Sequence, residues 1–146
     1  MAKCLLLVDL QNDYFEGGNN TLSGSLEAVH NAKLLLDNFR KSGNGVCHIQ
    51  HVSVKPGATF FLKDTIGCEI HETVKPNTDE PVITKSFPNS FLKTDLLNYL
   101  KSNHINHLII SGMMTHMCVD ATTRAAFDFG FNVLLFMMHV RRRICR

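Results

Sequence analysis

Three residues join chemical reactivity to positions at or beyond the ends of apolar runs: Asp9 after KCLLLV, Lys85 at the end of PVITK, and Cys118 in SGMMTHMCVDATTRAA. A thiol attacks a carbonyl carbon once its proton has an acceptor. A carboxylate serves if burial raises its basicity, and an ammonium beside both groups keeps the site near neutral. Asp9 is read as the acceptor, Lys85 as the balancing and orienting cation, and Cys118 as the nucleophile. Cys118 also opens the helical run CVDATTRAAFDFG, where free N–H groups and the positive end of the dipole favour a thiolate, so its pKa is expected below the usual ~8.5. Singly, each residue has a plainer role as a core thiol, a turn-capping carboxylate or a solvated lysine. Spacing alone does not establish a triad.

The elements that must position these groups alternate. KCLLLVDL is a short continuous apolar run, the pattern of a strand buried on both faces of a parallel sheet. A helix is predicted from Ser25, with Leu26, Val29, Leu36 and Phe39 on one face and a stop at Gly43. GVCHIQHV, PVITK, INHLIISG and FNVLLF read as further strands, and TDLLNYLKSNH and CVDATTRAAFDFG as further helices. The pattern predicts a three-layer α/β domain with a mostly parallel sheet, in which sites form at the carboxyl ends of strands. Asp9, Lys85 and Cys118 then share one rim. The long irregular stretch between Ser53 and Glu80, with the pair Phe60 and Phe61, is a candidate binding loop.

The 146 residues suit one domain, and the net charge of +2 rests on Arg141, Arg142, Arg143 and Arg146. The basic tail lacks interleaved aromatics, so no nucleic-acid partner is expected. No apolar run approaches the ~20 residues of a membrane span, and acidic and amide residues directly follow the first apolar stretch, unlike a signal peptide. Five cysteines without a CxxC pair suit a reducing, cytoplasmic setting with free thiols.

VDLQNDYF, ITKSFPNSF and SGMMTHMCVDATTRAA, in this order, resemble the three motifs of the cysteine hydrolases of the isochorismatase superfamily. The resemblance runs from about residue 3 to 136. It implies a six-stranded parallel sheet with helices on both faces, a triad of Asp9, Lys85 and Cys118, and a cis peptide between Met113 and Met114 that aims the amides of Met114 and Cys118 at an oxyanion. The implied reaction is hydrolysis of a small amide, ureide or related C–N bond, with no cofactor and a small molecule as partner. Homo-oligomers are common among similar proteins. Gln11 is expected to orient Asp9 or contact substrate, and Phe15, Phe61 and Phe87 either to pack in the core or to wall a flat substrate.

Alternatives stay open at this level: a vinyl ether hydrolase that does not need the cysteine, a binding or scaffold protein that has lost turnover, and a structural domain with a redox-sensitive thiol. The Asp-x-His metal arrangement of nicotinamidases is absent. His48 and His51 have ligand-like spacing but point to opposite faces of a strand, so no metal is expected. His104 and His107 read as a polar turn and strand entrance, and His116 as the partner in a competing cysteine–histidine dyad.

Similar proteins continue after FNVLLF with Asp-Ala and then a strand and a helix, whereas this chain reads MMHVRRRICR. Phe136 to Val140 are encoded by TTY ATG ATG CAY GTN, which in a shifted frame reads YAT GAT GCA YGT and forces Asp-Ala. Residues from about Met137 onward are therefore expected to be a frameshift product, leaving residues 1–136 as the hydrolase domain with a truncated C-terminal part.

Overall fold

The computed structural model describes residues 2–138 and 141–142. The expectations for His139, Val140, Arg143 and the last three residues lie outside them, as does the frameshift reading of that segment.

The strands are β1 (Ala2–Val8), β2 (Leu22–Ser23), β3 (Gly45–His51), β4 (Val82–Lys85), β5 (Ile105–Gly112), β6 (Asn132–Leu135) and β7 (Arg141–Arg142); the α-helices are α1 (Ser25–Lys41), α2 (Leu96–Ser102) and α3 (Asp120–Asp128). Five strands form one parallel sheet in the order β4-β3-β1-β5-β6, while β2 and β7 make a small antiparallel pair. The main sheet thus has one strand fewer, among the described residues, than the resemblance implies.

β1 lies at the centre because both of its faces are apolar. Leu5 and Leu7 join one core, with Ala28, Val29, Ala32, Leu36 and Phe39 of α1; Cys4, Leu6 and Val8 join the other, with α2 and α3. Each fully buried leucine contributes about 2 kcal/mol to this sandwich. Helix α1 begins at Ser25, but Gly24 in the left-handed region is its cap, and Leu26 faces solvent instead of the core.

The strand order creates a crevice where the chain leaves β1 for β3 on one side and returns to β5 on the other. The close approach of β1 and β5 at this rim depends on Gly112. A Cβ there would lie 2.0 Å from the Val8 carbonyl oxygen, and its φ is +150°. This contact lets Met113 N donate to Val8 O at 3.0 Å, which holds the nucleophile loop beside Asp9.

Candidate active site

Four neighbouring strands end at this rim, and each brings a functional group to it. Asp9 follows β1 with a φ of +55°, a left-handed conformation uncommon for a non-glycine residue. His51 ends β3 and Lys85 ends β4, and the two are register partners. Beyond β5, Met113–Met114 is the expected cis peptide, followed by a single π turn over Thr115–Val119 that carries Cys118. The Met114 carbonyl accepts from the amides of Met117 and Val119, which flank the cysteine.

The Lys85 ammonium sits at the centre. Its Nζ lies 3.1 Å from Asp9 Oδ2, 3.3 Å from Cys118 Sγ and 2.8 Å from His51 Nδ1. Both Asp9 and Lys85 are buried. Asp9 Oδ1 is buried and has no hydrogen-bond partner among the described residues. A carboxylate oxygen of Asp9, a ring nitrogen of His51 and Cys118 Sγ all lie within 4.8 Å of one another. These are metal-ligand types, yet a tethered cation already contacts all three.

Burial decides the electrostatics. It raises the Asp9 pKa, with the Lys85 charge working against it. Burial first and the Asp9 charge second push the Cys118 thiol up to about 12, although Lys85 pulls it down. The low thiol pKa expected from the helix start is therefore corrected: Cys118 lies inside a buried turn and faces a carboxylate, and both outweigh the dipole. Burial and the Asp9 charge thus favour the thiol over the thiolate.

Asp9, Cys118 and His51 line a cavity of about 400 Å³ whose walls include Phe60, Phe61, Phe87, Pro88 and Met117. Phe61 and Phe87 thus line the same cavity as Asp9 and Cys118. Gln11 and Phe15 do not line it. Gln11 is fully buried; its Nε2 donates to the carbonyls of His51 and Cys68, both at 2.8 Å, and its Oε1 accepts from His51 N at 2.8 Å. It grips the His51 backbone because an amide side chain completes the bonding of a strand end. Phe15 packs on the His71 ring, centroids 4.0 Å apart, beside a separate cavity. Asp13 is a positioning residue that the sequence reading missed: it is buried and accepts from Phe61 N at 2.7 Å, fixing the aromatic loop.

His116 is exposed, and among the described residues no hydrogen bond joins it to Cys118. His48 points away from the rim to Glu80, 2.8 Å distant, so the two histidines do lie on opposite faces. His104 occupies a turn before β5 and His107 its first half.

The isochorismatase domain family matches residues 3–137. The chain belongs to this family. The isochorismatase family protein YddQ of Bacillus subtilis is 45% identical over 131 residues, covering 90% of this chain and 73% of YddQ. A solved structure from Oleispira antarctica, assigned to the isochorismatase hydrolases, superposes with a TM-score of 0.87 at 42% identity over 92% of this chain and 72% of that one. A streptothricin hydrolase of Streptomyces noursei is 31% identical over 92% of this chain but 48% of its own length. The isochorismatase family fixes the fold and the broad class, hydrolase. No helix of the described residues is long and apolar enough to cross a membrane.

Proposed function

We propose that this isochorismatase-family hydrolase cleaves a small amide, ureide or related C–N bond, with Cys118 as nucleophile, Asp9 as proton carrier and Lys85 as the cation that holds both. The observation that carries this reading is the buried Lys85 ammonium in simultaneous contact with Asp9 and Cys118, which both line a largely apolar cavity. The similarity to a hydrolase named for streptothricin supports a small-molecule substrate.

The steps follow from the pKa pattern. Since both Asp9 and the thiol are held above their ordinary values, proton transfer to Asp9 accompanies the attack of sulfur instead of preceding it. A C–S bond forms and the carbonyl π pair moves onto oxygen, where the amides of Met114 and Cys118 receive it. Collapse of the adduct breaks the C–N bond, and Asp9 returns the proton to the departing nitrogen. Water then attacks the thioester, giving its proton to Asp9, which passes it to the leaving sulfur.

A screen of small amides, ureides and carbamoyl compounds, read by ammonia release, tests this proposal. Turnover by the wild type and none by Cys118→Ala is expected. Hydrolysis confined to vinyl ethers, and equal in both proteins, would sink it.

A further inference from the structure

The triad makes no use of the His51 ring, although its placement is heavily determined. Gln11 grips the backbone N–H and C=O of His51, and the Phe61 ring stands 5.8 Å from the imidazole. An ammonium has three protons and no lone pair. The three neighbours of Lys85 Nζ are Asp9 Oδ2, Cys118 Sγ and His51 Nδ1. At 2.8 Å, Nδ1 has to be the acceptor. The ring is then neutral with its proton on Nε2, and among the described residues no hydrogen bond uses that N–H. The same ring lines the cavity beside Asp9 and Cys118.

We propose that His51 is a positioning residue that also faces the substrate. Its Nδ1 locks the Lys85 ammonium between Asp9 and Cys118, while Nε2–H stands as a fixed donor for the carbonyl or another acceptor atom of an amide-like substrate. The substrate-facing half rests on the reading given under Proposed function; the lock does not. Burial, with the Lys85 and Lys55 charges, lowers the His51 pKa to about 4, so the ring stays neutral at neutral pH. Were it protonated, Nδ1–H would face the ammonium and the lock would open.

Two measurements test the proposal. Nitrogen-15 NMR of the imidazoles, with His51→Asn used to assign the resonance, is expected to show a neutral ring protonated at Nε2 at neutral pH. An imidazolium or an Nδ1–H tautomer would overturn the lock. The second is inactivation by iodoacetamide, a small carboxamide whose iodide the Cys118 sulfur displaces, followed at the peptide bearing Cys118. Asparagine retains an acceptor near Nδ1, and glutamine a donor near Nε2. His51→Asn is expected to keep kinact within about threefold of wild type while KI rises about tenfold; His51→Gln does the reverse, and His51→Phe loses about tenfold in both. Variants that all behave like wild type, or that all lose alike, would contradict the double role of the ring. Neither measurement needs turnover, so a failed substrate screen overturns the hydrolysis reading and leaves this one to stand or fall by itself.

Discussion

Lys85 carries its charge into the protein interior, where an unpaired ammonium is costly, and what makes that tolerable is three acceptors for three protons. Removing one member therefore has consequences set by what remains. Cys118→Ala deletes a weak acceptor and is expected to abolish C–N hydrolysis while shifting stability by no more than about 1 kcal/mol, as read from urea unfolding. Asp9→Asn keeps the shape but cannot take the proton, and a loss in kcat of about a thousandfold is expected. His116→Ala, at an exposed position, should leave kcat unchanged. Proton sharing also has a pH signature. With the thiol held up to about 12, alkylation of Cys118 should keep accelerating from about pH 7 to about pH 10; a plateau already reached at neutral pH would show a resting thiolate. The meeting of Asp9, Lys85 and Cys118 on one rim was legible in the sequence because each ends an apolar run or follows one; their proposed roles came from the resemblance of the three motifs. His51 was not, since its register with Lys85 exists only once β3 and β4 pair. Gln11 was misread because a motif shows that an amide is needed, not which way it points.

At the scale of elements, the rim is held from the opposite end of the sheet as well as locally. His48 N donates to the Pro81 carbonyl at 2.9 Å, and its ring meets Glu80, which also takes Arg40 from α1 at 2.7 Å. This clamp fixes where β4 starts, and so where Lys85 ends it. Burial tends to raise the Glu80 pKa, but Arg40, the Asn77 amide and His48 outweigh it and hold the carboxyl at about 2. Burial lowers the His48 pKa despite Glu80. Both groups bind fewer protons folded than unfolded, so stability rises with pH across their windows and is lost on acidification. The loss begins below the ordinary histidine value of ~6.5 and steepens between ~4.3 and about 2. Glu80→Gln is expected to cost about 2 kcal/mol near neutrality and to flatten the lower part of that profile, measurable as urea midpoints against pH. At the other end of the rim, Gly112→Ala sets a Cβ against backbone that cannot yield and should cost about 3 kcal/mol or more. The parallel α/β order was legible because buried strands read as continuous apolar runs, whereas the π turn carrying Cys118 looks like ordinary helix in sequence.

For the whole molecule, the described sheet has two edge strands, β4 and β6; at β6, Leu134 is 64% exposed and Phe127 of the adjoining α3 is 73% exposed. An open strand edge beside apolar side chains favours association. Leu134→Lys is expected to lower the self-associated fraction in sedimentation velocity without changing kcat, because both residues lie outside the cavity lined by Asp9 and Cys118. For the final segment we retain the frameshift reading as a proposal. Resequencing the coding DNA should show a one-base change in length near the Phe136 codon that puts Asp-Ala in frame; an uninterrupted frame giving MMHVRRRICR would contradict it. The most direct test of the account as a whole is mass spectrometry of the peptide carrying Cys118, acid-quenched during turnover of a compound that releases ammonia in the screen. An acyl or carbamoyl adduct on Cys118 in the wild type, its accumulation altered in Asp9→Asn and its absence in Cys118→Ala, is the predicted result. Ammonia release that continues undiminished in Cys118→Ala, with no adduct in the wild type, would contradict it.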